Sequence, residues 1–429
     1  MYRHSLHDIA TPIKHLVSRL RQQVRFGLDR RSAPSGPASG DTALADIDRL
    51  SIPVVTNSIE ETNRQDAIAR GQFLARQERW PEFAGEFDAA NAARLATKGG
   101  MPIADLLVYG ARADAVQAIQ HALHTGKPAP SAPIDACIAA LEDVYTEHPG
   151  NPAVALVLAT THMDAGWSWR GGGWDATIPR RNREQFHTHF DRAREIMDGF
   201  CGVELDSPSI AAACCTLLAG DGAPADEIAD AYEDLIDLDP RNFRHMRVMG
   251  HHLLPRHESG YQRLELEARR TAARTQDIWG SGAYSWVMFD AIAIDERACA
   301  LVDLDFFLEG LRDIVERRPT QEMINLLAAY CSLTIRHGQG LSERADLKRL
   351  HIADCAGWLI REHLTEIHPL LWAHAAEGFD NNLRITSVKR FANSGRLDAL
   401  RAIADQFRPE IELGHHVTFT PEGPIVEPC

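Results

Sequence analysis

The stretch Ala231-Tyr-Glu-Asp-Leu-Ile-Asp-Leu-Asp-Pro-Arg-Asn242 decides the fold class. Ile228, Tyr232 and Leu235 fall four and then three residues apart, so they share one stripe of a helix. Pro240 ends that helix, because it offers no N–H and fixes its own φ, and it is well placed to begin the next one. The same order of apolar residue, aromatic or Leu, apolar residue and Pro recurs at the same intervals. It is found at Cys137, Leu141, Val144 and Pro149, at Ile196, Phe200, Val203 and Pro208, and at Phe307, Leu311, Ile314 and Pro319. Four copies imply paired helices that bury their apolar faces by stacking on their neighbours.

Outward from these copies the helical pattern continues. Asp66–Arg79 and Pro81–Thr97 read as a hairpin around Trp80, and Ala104–Thr125 as further helix. Leu347–Glu366, Pro369–Gly378 and Leu397–Phe407 read as closing helices, and His416–Phe419 as extended chain before a Pro-containing end. Residues 30–42, rich in Ser, Pro and Gly, form a flexible linker. Before it, Ile9, Ile13, Leu16, Val17, Leu20 and Val24 line one face of a helix within residues 1–29 whose other face is basic. The expected organisation is an amphipathic helix (1–29), the linker (30–42), helical hairpins or a cap (43–128), helical repeats (129–380) and a closing segment (381–429).

The Ala231–Asn242 stretch and its partners resemble the tetratricopeptide repeat family, whose second helix ends with these residue types at these intervals. After Pro319, Met323, Leu326 and Tyr330 fall where the family's first helix places large apolar, Leu and aromatic residues, while Leu327 stands where a small residue is usual. The prolines are 59, 32 and 79 residues apart, and only the middle interval approaches the family's 34. The resemblance covers residues 130–375. It implies an all-α fold, an irregular helical-repeat (tetratricopeptide-like) right-handed solenoid, with the N-terminal amphipathic helix separate. It also implies a concave groove lined by the second, fifth, ninth and twelfth residues after each Pro. In this chain those are Asn151, Thr161, Asn242, His245, Met249, His252, Gln321 and Ile324.

The chain has 429 residues, 45% apolar and 24% charged, enough to bury a large core and unlike a disordered or fibrous sequence. Its longest apolar run, Ala153–Ala159, is far short of the roughly 20 residues a bilayer span needs. A net charge of −15 repels a phosphate backbone, which argues against nucleic acid as a partner. Residues 1–31 run against this balance, with seven basic groups and two acidic ones. The helix in residues 1–29 could therefore rest on an anionic membrane surface, bind a protein groove or dock on its own acidic body. Eight cysteines show no Cys-x-x-Cys pair, and Met1–Ala10 lacks a secretory apolar stretch, so a cytoplasmic protein with reduced thiols is expected. Nothing in the sequence fixes the oligomeric state.

Candidate sites are few. Gly166-Trp-Ser-Trp-Arg-Gly-Gly-Gly-Trp174 is expected to be a loop, since its glycines disfavour helix. Trp167, Trp169 and Trp174 with Arg170, Arg180, Arg181 and Arg183 could hold an anionic or aromatic group by stacking and cation–π contact, or fold down as a lid. Gly280-Ser-Gly282 is read as an interhelical turn, because a nucleophile loop needs a strand before it. The twenty histidines include 187/189, 251/252/257, 363/368/374 and 415/416, none at the i, i+4 spacing of a helical zinc site, so no metal or cofactor is expected. The function read from the sequence is non-enzymatic protein–protein interaction through the groove, with the contact set by Asn242, His245, His252 and the Trp-rich loop. The alternative is an α-helical enzyme that acts on a small anionic or aromatic molecule beneath that loop, with His162, His187 or His189 as the acid–base group. Two or more histidines meeting a carboxylate in a closed pocket under the loop would favour the enzyme.

Overall fold

Capping residues and prolines set the helix boundaries. Asn151 accepts from the backbone N–H groups of Ala153 and Val154, and Pro152 occupies the first turn of the helix it starts. Ser58, Ser207, Asn242, Asp295, Asp303, Thr320, Ser342 and Ser387 cap other helices in the same way. The computed structural model describes residues 46–56, 58–123, 134–171, 178–255, 260–336, 340–378, 385 and 387–428. The basic helix expected in 1–29, the linker 30–42, Trp174 and His257 lie outside them.

A two-residue strand, β1 (Leu50–Ser51), comes first. The first helices are α1 (Ile59–Arg76), α2 (Trp80–Ala92), α3 (Ile103–Leu123), α4 (Ile134–Glu147) and α5 (Pro152–Arg170). There follow α6 (Arg180–Met197), α7 (Pro208–Asp221), α8 (Ala225–Leu238), α9 (Phe243–His252) and α10 (Tyr261–Arg274). Then come α11 (Gln276–Trp279), α12 (Gly282–Ile294), α13 (Glu296–Leu301), α14 (Leu304–Arg317) and α15 (Gln321–Ala329), which runs on into a π turn at Tyr330–Thr334. The last helices are α16 (Glu343–Ala353), α17 (Cys355–Trp358) with a π turn at Leu359–His363, α18 (Pro369–Glu377), α19 (Val388–Gln406) and α20 (Arg408–Glu412). Strands β2 (His416–Thr420) and β3 (Gly423–Glu427) close the chain.

The described chain is mostly helical, as the sequence led us to expect, and each helix packs mainly on near neighbours in the chain. Two helices are apolar all round and consequently central. Ala153–Ala159 of α5 are buried among α2, α3, α4, α6 and α7, and Ala283–Phe289 of α12 among α9, α10, α13 and α14. Two large cores result, one built from α1–α7 and one from α7 onward, and α7 faces both: Ile210 and Leu217 look into the first, Ala211 and Cys215 into the second. Tight crossings depend on glycine. A Cβ on Gly71 of α1 would stand 2.1 Å from the Leu107 carbonyl of α3, and one on Gly250 of α9 would stand 1.7 Å from the Val287 carbonyl of α12.

The recurring submotif divides on inspection. Ile228, Tyr232 and Leu235 on α8, and Phe307, Leu311 and Ile314 on α14, are fully buried stripes. Cys137, Leu141 and Val144 on α4 are half-buried. The copy at 196–208 is not a helical stripe: α6 stops at Met197, and Val203 lies in the following turns, 49% exposed. Its spacing matched by coincidence.

The extended tail does not stand alone. Leu50 and Ser51 of β1 pair in parallel with Val417 and Thr418 of β2, which pairs antiparallel with β3. Val54 bridges Ile367, so the segment before α1 runs along elements from the end of the chain.

Candidate functional site

A cleft of about 450 Å³ opens where α3, α7 and α9 begin, beside the turn that leads into α15. Its walls are fixed by local chemistry. Asn242 Oδ1 accepts from the Arg244 N–H at 3.2 Å and so starts α9 beneath the cleft. Arg94 straps the rim, donating to the carbonyls of Asn91 (2.7 Å), Asp206 (3.1 Å) and Leu238 (3.1 Å) and pairing with the Asp206 carboxylate. Arg94 and Asp206 both take left-handed backbone (φ 49° and 48°), conformations that non-glycine residues hold only when their surroundings impose them. The 97–100 turn is held by Glu60 of α1, whose carboxylate accepts from the Thr97 hydroxyl (2.7 Å) and the Gly99 N–H (2.6 Å).

The interior is lined by polar side chains that are more than nine-tenths buried: Asn91, Ser209, Asn242 and His245. Asn242 Nδ2 lies 2.9 Å from His245 Nε2, and Asp239 Oδ2 stands 3.7 Å from the same nitrogen. Asn91 donates to the Ser207 hydroxyl at 2.5 Å, and Asp105 is within hydrogen-bonding reach of the Ser209 hydroxyl. Burial raises the Asp105 carboxyl above the ordinary carboxylate range, opposed by Ser209 and by the His245 and Arg112 charges.

The mouth is basic. Arg241 and Lys98 are exposed, and Arg318 is half-buried with its guanidinium 4.8 Å from the centre of the Trp279 ring. Trp279 is fixed by its indole N–H, which donates to the Pro240 carbonyl at 2.8 Å, and by edge contacts with Phe243 and Trp286. Trp279 thus backs Arg318 at the edge of the cleft. Burial lowers the Arg318 pKa, and the Arg241 charge lowers it further.

Of the groove positions expected from the repeat phase, Asn242 and His245 line this cleft. The others serve packing or capping. Thr161, Met249 and Ile324 are buried, Asn151 caps α5, and Gln321 bonds to the His363 carbonyl and the Thr365 N–H. His252 shares a 2.8 Å hydrogen bond with the Tyr232 hydroxyl, and burial followed by the His251 charge brings its pKa down to about 4. Asp105, Asp239, Arg241 and Arg318 escaped the sequence reading. Arg241 and Arg318 could have been found by noting the basic residue beside both Pro240 and Pro319.

The Trp-rich stretch is corrected. Gly166, Trp167, Ser168, Trp169 and Arg170 are the last residues of α5, not a loop, and the helix stops only at Gly171 with φ 68°. One glycine does not break a helix when tertiary packing holds it; here the Phe190 ring packs closely on Gly166, 3.0 Å from where a Cβ would be. Trp169 is buried with Arg181 over its ring (5.3 Å), while Trp167 is 44% exposed against Phe186 and Phe190 with Arg170 5.5 Å above it. Arg180 pairs with Glu184 on its own helix at 2.6 Å.

His162 and His189 do meet a carboxylate. Their Nδ1 atoms are 3.0 Å apart, and His162 Nε2 is 3.1 Å from Glu142, which also binds Arg192. Both nitrogens of His162 are occupied by protein partners, and its ring is 6% exposed, so no atom of it is offered to a substrate. Ser281 lies between α11 and α12, and its hydroxyl donates to Glu309. Among the described residues no group of three or more His, Cys, Asp or Glu is placed to hold a metal ion, and no helix is long and apolar enough to cross a membrane.

In comparisons with known proteins, the chain matches no family model, no curated protein and no solved structure.

Proposed function

We propose that the chain is a non-enzymatic helical-repeat protein, a tetratricopeptide-like right-handed solenoid of cytoplasmic type, that binds a segment of a protein partner. The reading is supported by buried stripes on α8 and α14 that are each followed by Pro and a capped helix, and by the packing of helices on near neighbours. The observation that carries it is the meeting of Asn242 and His245, the groove positions after Pro240, with Asp105, Ser209 and Asn91 in one cleft. Amide, hydroxyl, imidazole and carboxyl groups in one cleft are suited to the N–H and C=O groups of an extended peptide. Photocrosslinking from position 98 at the rim should capture a polypeptide in cell extract, and His245→Ala should reduce that capture; crosslinks of equal yield in His245→Ala would count against the cleft.

A second reading, an α-helical enzyme acting on a small anionic or aromatic molecule, draws on the meeting of His162, His189 and Glu142. It requires turnover of such a molecule that His189→Ala abolishes in a folded protein.

A further inference from the structure

We infer that the mouth of the cleft is an oxyanion subsite, in which Arg241 and Arg318 grip a carboxylate or phosphate group carried by the bound polypeptide segment. This rests on the peptide-binding reading of the cleft and names the chemistry of its partner. The chain carries 60 acidic residues against 45 basic ones, and its arginines are extensively paired: Arg192 with Glu142, Arg247 with Asp290, Arg274 with Glu233 and Arg361 with Glu410. Neither the Arg241 nor the Arg318 guanidinium has a carboxylate within ion-pair distance among the described residues. The two face one cleft and repel each other, with Asp239 as the partial counterweight.

The arrangement is built rather than incidental. Arg318 is held on the Trp279 face at 4.8 Å, Trp279 is tied to the Pro240 carbonyl at 2.8 Å, and Arg241 follows Pro240 directly. A shared anion would relieve the repulsion and accept charge-assisted hydrogen bonds from two planar guanidinium groups. The α9 N-terminus beside them adds a favourable field. Just inside, Asn242 and His245 would meet the backbone next to the anionic side chain.

The test is fluorescence anisotropy of the full chain with labelled octapeptides rich in glutamate, in phosphoserine, in glutamine or in lysine. The inference expects the glutamate or phosphoserine peptide to bind more tightly than the glutamine peptide by about ten-fold, the size of one charge-assisted hydrogen bond. Arg241→Glu and Arg318→Gln should erase that preference in variants whose circular dichroism is unchanged, and Lys389→Glu, at an exposed position in the first turn of α19, should keep it. Whichever acidic peptide binds better identifies the source of the oxyanion. Equal affinity for the acidic and glutamine peptides would refute the subsite and leave the peptide-binding reading standing. Binding by none of the four would remove both.

Discussion

His162 and His189 meet Nδ1 to Nδ1 at 3.0 Å between α5 and α6, so one ring must carry its Nδ1 proton and the other must not. A proton added to the accepting Nδ1 breaks the bond, sets two N–H groups face to face and leaves a single buried cation. Burial, the largest influence, lowers the His162 pKa below its ordinary 6.5 despite Glu142.

The sign of the pH effect follows. Below about pH 6.5 the unfolded chain takes up protons that folded His162 refuses, so stability is complete above that pH and lost as pH falls. His252, brought down to about 4, acts in the same direction. The melting temperature should be level above pH 7 and fall between pH 6.5 and 5, and His162→Gln should flatten the fall; an unchanged slope in that variant would contradict the assignment.

The Arg247–Asp290 pair joins α9 to α12 through two hydrogen bonds, 2.8 and 2.7 Å, with both side chains largely buried. Asp290→Asn removes the carboxylate charge from this pair, beside half-buried Arg244, whose pKa burial already lowers to about 10. The expected loss is about 3 kcal/mol, read from the urea midpoint.

Gly250→Ala would drive a methyl group into the Val287 carbonyl, and the two helices must part or tilt. Destabilisation of at least about 2 kcal/mol is expected. Gly85, exposed in α2 with nothing within 4 Å of a Cβ, is the control: Gly85→Ala should stabilise by about 0.5 to 1 kcal/mol through helix propensity.

Trp169 and Trp167 should separate although they sit two residues apart. Trp169→Ala empties a buried site and should cost about 3 kcal/mol or more, whereas Trp167→Ala loses edge contacts with Phe186 and Phe190 worth about 1 kcal/mol. Thermal melts of the two variants decide it.

Thiol labelling should follow exposure. Among the described cysteines Cys201 is exposed, whereas burial pushes Cys214 up to about 11 and Cys215 up to about 12. In native protein a disulfide reagent should modify Cys201 well before Cys215, Cys299 or Cys331, which should react only on unfolding.

The sequence by itself determined what is local. The apolar stripes at Ile228–Leu235 and Phe307–Ile314, the prolines behind them and the capping Asn and Thr that follow specify helices and their ends, because those interactions span four residues or fewer. The resemblance to the repeat family, read from the same local pattern, pointed to Asn242, which caps α9, and to His245 within it. Only the tertiary structure decided which distant residues met them: Asp105, Ser209 and Arg318 come from three other parts of the chain, and no periodicity links them. For the same reason the helical end of α5 through Trp169 was misread from its glycine content. Contacts with Phe186 and Phe190 of α6 override a propensity of about 1 kcal/mol per glycine, and contacts of that kind exist only once the helices have packed.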